Sequence, residues 1–89
     1  MKTFYKSPVE EVVKGFDWTD RLASGDKLVD SEWEIGVGLN GANAVFDDYG
    51  SELELTGGTI GSQYLVSNTI TTSNGEKYER SFYMLVRDR

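Results

Sequence analysis

Hydrophobic and polar positions alternate at a period of two along much of this chain, most regularly between Gln63 and Val86. Tyr64, Val66, Asn68 and Ile70 share one face of a first run, and Tyr78, Arg80, Phe82, Met84 and Val86 share one face of a second. Such alternation predicts two half-buried strands joined by the turn Thr72-Ser73-Asn74-Gly75-Glu76. The loop length sets the register. A two-residue loop at Asn74-Gly75 would place Ile70 opposite Glu79 and Val66 opposite Tyr83, mixing apolar with polar faces. A three-residue loop, Ser73-Asn74-Gly75 with Gly75 left-handed in a bulge, instead pairs Ile70 with Tyr78, Asn68 with Arg80, Val66 with Phe82 and Tyr64 with Met84. One side of the ribbon is then apolar, so the longer loop is expected.

Upstream, Val12, Phe16 and Trp18 share a parity and predict a first strand ending near Asp17-Trp18-Thr19-Asp20. Val29, Ser31, Trp33 and Ile35 alternate with Asp30, Glu32 and Glu34, giving a strand with one dry and one wet face and Trp33 in the core. Gly36 to Asn43 reads as loop, followed by short strands at Ala44 to Phe46 and Glu52 to Leu55, and Gly57-Gly58-Thr59-Ile60-Gly61 leads into the hairpin. Residues 1–9 read as an extended arm, because Pro8 disfavours helix at Ser7 and no periodicity has begun. Six or seven short strands separated by Gly, Asn and Asp turns, without a helical period, predict an all-β domain over residues 10–89, with a two-sheet sandwich favoured over a closed barrel. Val66 and Phe82 are expected in its core.

Eighty-nine residues fit a single domain with one thin core, burying roughly 60 to 65 % of the unfolded chain's surface. Cysteine is absent, so neither disulfides nor thiolate-bound metal supplement that core. No apolar run approaches the ~20 residues of a membrane span, and the start lacks the apolar centre of a signal peptide; a soluble protein made in the cytosol is expected, with no membrane partner. A net charge of −6 argues against nucleic acid as a partner. Lys2 and Lys6 mark the arm and Arg87 and Arg89 the C-terminus, whereas Asp26, Asp30, Glu32, Glu34, Asp47, Asp48, Glu52 and Glu54 crowd the middle. That acidic surface serves solubility, or orients a basic partner.

Histidine is also absent, which removes Ser-His-Asp and Cys-His catalysis and His-ligated zinc. Asp17 with Asp20, or Asp47 with Asp48, are the carboxylate pairs left for hydrolysis or calcium, yet Asp47-Asp48-Tyr49-Gly50-Ser51-Glu52 lacks the ligand spacing of an EF-hand loop. Neither Gly36-Val37-Gly38 nor Gly57-Gly58-Thr59-Ile60-Gly61 completes a phosphate cradle. No catalytic residue, metal, cofactor or small-molecule substrate is therefore expected. Asn68 and Arg80 stand out as polar residues on the apolar face of the hairpin. An arginine cannot be neutralised by deprotonation, so Asp17 or Asp20 is expected to meet it in a clamp between the first strand and the last hairpin, a ligand-binding arginine being the alternative. Trp18 reads as core or as a lid at a strand end. In the arm, Lys2, Phe4, Tyr5 and Lys6 are either a loose tail or anchors on a neighbouring subunit.

The succession Asp17-Trp18-Thr19-Asp20-Arg21-Leu22, Gly25-Asp26, Trp33, Gly57-Gly58 and Gly61 before Tyr64, Asn68-Thr69-Ile70-Thr71-Thr72, Gly75 and Glu79-Arg80-Ser81-Phe82 up to Val86 resembles small tailed-phage fibre-to-tail adaptors, over about Phe16 to Arg89. The resemblance implies an Ig-like sandwich without enzymatic activity, located in the virion tail or neck and joining fibres to the tail through several copies in a symmetric assembly with other virion proteins. It carries over no catalytic residues. The alternative is a free-standing Ig-like domain that recognises carbohydrate or a cell-surface protein through Trp18 and the Gly36 to Asn43 loop; a carboxylate-dependent hydrolase is a third class.

Overall fold

In a computed structural model, which describes residues 1–88, the chain forms β1 (Lys2–Lys6), β2 (Val12–Asp17), β3 (Leu28–Ile35), β4 (Leu39–Phe46), β5 (Gly50–Gly57), β6 (Gln63–Thr72) and β7 (Lys77–Val86), with a 3-10 turn at Thr19–Arg21. Arg89, counted above in the domain and its basic terminus, lies outside the described residues. β6 and β7 pair as the three-residue loop requires: Ile70 faces Tyr78, Asn68 faces Arg80, Val66 faces Phe82 and Tyr64 faces Met84. Gly75 takes a φ of +85°, Thr72 N–H donates to Glu76 O at 2.8 Å, and Gly75 N–H donates to Thr72 O at 2.9 Å. The left-handed residue lets the turn follow the twist of its strands.

Two sheets face each other, ordered β1-β7-β6-β3 and β2-β5-β4. Their inward residues form the main core, in which Leu53, Leu55, Val66, Phe82, Met84 and Val86 are buried and Phe4, Val12, Phe16, Trp33 and Ile35 pack at the margin. Trp33 is only half-buried, because β3 is an edge strand; its ring stacks on Phe16 at 6.0 Å, and its Nε1 has no hydrogen-bond partner among the described residues. A second cluster of Trp18, Leu28 and Ile70 closes one end.

At the other end, the Tyr64 hydroxyl accepts the Thr59 backbone N–H at 2.9 Å, tying the β5–β6 corner to the start of β6. This is the tyrosine corner of Ig-type sandwiches, and with the sheet orders above it makes the fold Ig-like. Gly58, at φ +94°, permits the close approach: a Cβ there would lie 2.5 Å from Val86 Cγ2.

Two expectations are corrected. Residues 1–9 do not stand apart from the sandwich, because β1 pairs in parallel with β7 from Lys2 opposite Phe82 to Lys6 opposite Val86. The arm carried too few residues for its alternation to register, and its partner strand lies at the far end of the chain. Gly36 to Asn43 is not all loop either: β4 begins at Leu39 and pairs with β5 as far as Phe46, broken by a bulge between Ala42 and Val45 where Asn43 adopts φ +53°. Its glycine and asparagines have poor strand propensity, but pairing with β5 overrides it. Gly41 has a packing reason to be glycine, since a Cβ there would meet Ile35 Cδ1 at 2.2 Å and Leu53 Cδ1 at 3.0 Å.

Candidate functional site

Alternation along β1 decides what its four singled-out residues present. Adjacent residues point to opposite faces. Lys2, Phe4 and Lys6 have the inward parity, opposite Phe82, Met84 and Val86, and Tyr5 has the outward one, opposite Leu85. Phe4 therefore packs edge-on against Phe82 at 5.3 Å, with the Lys14 ammonium 4.3 Å from its ring centre. Lys6 is fully buried, and its ammonium donates to Ser7 O at 2.7 Å and Gly57 O at 2.5 Å. Tyr5 stays 43 % exposed with the Arg87 guanidinium 3.9 Å over its ring, and Lys2 is exposed at the strand's start. Leu65, opposite Tyr83 in the same sheet, is also 44 % exposed.

The second constellation lies where β2 meets the end of the hairpin. Arg80 extends from β7, donating from one guanidinium nitrogen to Asp17 O at 2.8 Å and from another to both Asp20 carboxylate oxygens at 2.6 and 2.5 Å. Its guanidinium also lies 4.5 Å over the Trp18 ring. Beneath it Asn68 is fully buried: its Oδ1 accepts Trp18 Nε1–H at 3.1 Å and the Ser51 hydroxyl at 2.5 Å, and its Nδ2 donates to Ser31 Oγ and Glu32 O, each at 2.9 Å. Asn68 and Arg80 are thus cross-strand neighbours that serve different partners. Arg80 holds the 3-10 turn, and Asn68 joins strands of both sheets through Trp18, Ser51, Ser31 and Glu32. The Trp18–Ser51–Asn68 triad carries no periodic signal in the sequence, since its members are separated by 33 and 50 positions.

The carboxylates at this end are occupied by local structure. Asp17 accepts the Thr19 amide at 2.9 Å and its hydroxyl at 2.5 Å, and these bonds, the hydroxyl's first, hold its carboxyl below the usual range. Asp20 is held low by the Arg80 guanidinium. A general acid needs the opposite shift. Asp47 accepts the Tyr49 and Gly50 amides at 2.9 and 2.8 Å, closing the β4–β5 turn. Among the described residues no three His, Cys, Asp or Glu side chains gather to hold a metal ion. Trp18 is fully buried, and residues 39–43 of the Gly36 to Asn43 segment lie in β4 with all but Leu39 exposed.

The remaining surface is acidic and extended. Asp30, Glu32 and Glu34 line the outer side of β3, and Glu52 lies on the outer side of β5. The molecule measures 44 × 23 × 19 Å, a short rod with loops at both ends. Fold and surface together define a small Ig-like structural module whose polar clusters fasten turns to strands.

The chain belongs to a phage virion family: the family model described as "Podophage GP4 fiber-tail adaptor protein gp77" matches residues 6–85. The match begins earlier than the resemblance traced from Phe16, and so takes in Lys6 and the β1–β2 connection. Members of this family are structural adaptors of the virion tail that bind other virion proteins. No curated protein matches the chain.

Proposed function

We propose that this protein is a rigid, non-enzymatic linker that joins tail fibres to the phage tail, acting in several symmetry-related copies after synthesis in the host cytoplasm. The family match over residues 6–85 carries this reading. The elongated shape supports it, because a 44 Å rod separates two loop-bearing ends that can engage different neighbours. So do the two fastenings, Arg80 to the 3-10 turn and Tyr64 to the β5–β6 corner, which hold those ends in fixed geometry. Rigid modules repeated around an axis convert weak single contacts into a durable joint.

Partner contact through β1 runs over Lys2 and Tyr5, while Phe4 and Lys6 anchor the strand that presents them. Tyrosine with a stacked arginine is a frequent composition of interface anchors. Neither nucleic acid nor membrane is a partner in this reading, since the net charge of −6 repels phosphate backbones and anionic lipid surfaces alike. A cryo-EM map of purified virions tests the proposal: density for this chain in several copies between tail and fibre is expected, and absence of the protein from purified particles would overturn it.

A further inference from the structure

Four strands lie at the edges of the two sheets: β1 and β3 in one, β2 and β4 in the other. An edge strand offers unpaired backbone groups to any other chain, and natural proteins blunt such edges with charge, proline, a bulge or a covering segment. β1 carries Lys2 and Lys6, β2 carries Lys14 and Asp17, and β3 carries Asp30, Glu32 and Glu34. β4, Leu39-Asn40-Gly41-Ala42-Asn43-Ala44-Val45-Phe46, has neither a charge nor a proline, and every residue after Leu39 is exposed. Beyond its ladder with β5, Leu39 N–H donates to Gly36 O and β3 passes close to the start of the strand, while the residues from Ala42 to Phe46 are exposed. The bulge between Ala42 and Val45, with Asn43 left-handed, twists the strand and divides it into two short paired stretches, Leu39–Ala42 and Val45–Phe46.

We propose that β4 is a docking edge that receives an extended, basic segment of a different virion protein, which adds to the β2-β5-β4 sheet as a fourth strand. The proposal rests on the adaptor reading and specifies how one partner binds. Backbone hydrogen bonds along the free edge would supply affinity, as in other cases of strand addition. Charge selects the occupant. On the outer face Val45 pairs with Glu52 and Ala42 with Glu54, and Asp47 and Asp48 follow the strand directly. Lysine or arginine at alternate positions of the incoming strand reaches these carboxylates, whereas a second copy of this chain brings another net charge of −6 and a matching acidic row. Val45 and Phe46, at 56 % and 43 % exposure, border a shallow groove shared with Gly15 and Tyr49, which gives one apolar side chain of the partner a seat.

The test combines hydrogen–deuterium exchange with binding of the full-length chain to purified fibres and purified tails of the same phage. One of the two is expected to bind and to slow exchange of the Asn40–Phe46 amides while β3 is unchanged. The double variant Ala42→Lys, Ala44→Lys, shown by circular dichroism to keep its fold, is expected to lose at least tenfold in affinity for that partner. Binding is also expected to weaken between about 50 and about 500 mM salt. Binding with β4 unprotected and the variant unaffected would overturn the docking edge and leave the adaptor role standing. Affinity indifferent to salt would overturn the basic partner. Protection of β4 in the chain alone, rising with its concentration, would assign the edge to a second copy instead. If neither fibres nor tails bind, the adaptor reading itself fails.

Discussion

The Trp18 indole N–H donates to Asn68 Oδ1 at 3.1 Å inside the sandwich, across fifty positions of chain. All four hydrogen-bonding positions of the Asn68 amide are engaged, and both residues are fully buried. A buried polar network is stabilising only while every member has a partner.

Asn68→Ala removes the acceptor of Trp18 and Ser51 and leaves a cavity between the sheets. A loss of about 2–4 kcal/mol in unfolding free energy is expected, measured by urea denaturation with tryptophan fluorescence.

Arg80→Lys retains a positive charge but not the planar fork that spans Asp17 O and the Asp20 carboxylate while stacking on Trp18. A loss of about 1 kcal/mol is expected. Asp20→Asn should cost less, because the Asp20 side chain is 67 % exposed and solvent already screens the ion pair. A thermal melt of Arg80→Lys at the wild-type temperature would refute the clamp.

Gly75 and Gly58 separate conformational from steric cost. Both have positive φ, but a Cβ at Gly75 meets nothing within 4 Å, whereas one at Gly58 meets Val86 Cγ2 at 2.5 Å. Gly75→Ala is expected to cost about 1 kcal/mol and Gly58→Ala about 2–3 kcal/mol, read from urea midpoints. Tyr64→Phe, which strips the Thr59 N–H of its acceptor, should lower the midpoint without altering the fold seen by circular dichroism.

Asp26 is buried between the β2–β3 loop and the hairpin turn, and the Ser73 hydroxyl, followed by the Lys27 and Asn74 amides, holds its carboxyl below the ordinary range. Asp17 and Asp20 are shifted the same way. Carboxyls whose pKa is lower folded than unfolded stabilise the fold above the unfolded value of ~3.9, and that stability disappears as pH falls through the folded values. Denaturation midpoints should therefore be level from pH 7 to about 5 and drop below about pH 4. Asp26→Asn should reduce that drop.

Much of this molecule was legible one residue at a time. Alternation in Gln63 to Val86, together with the mismatch that a two-residue loop would create, determined the hairpin, its register and its inward face, because a strand that buries one side tolerates no slip by a single residue. The missing histidine and cysteine removed whole classes of chemistry. Asp20 and Arg80 were legible as a pair because a half-buried guanidinium requires acceptors, whereas Asp17 meets Arg80 through its backbone carbonyl and gives its carboxylate to Thr19.

Other features depended on contacts between distant parts of the chain. Nothing local to Lys2–Lys6 says that it joins β7 in parallel, or that Lys6 ends buried among carbonyls while its neighbour Tyr5 faces solvent. Nothing local to Leu39–Phe46 makes a strand of residues that favour turns; β5 does so by supplying the ladder, and Ile35 by packing where Gly41 has no side chain. Sequence alone determined the face and register of strands whose own pattern separates wet from dry. Tertiary structure decided the edges, where a strand's identity comes from its neighbour's hydrogen bonds and its exposed residues are free of the pattern that burial imposes.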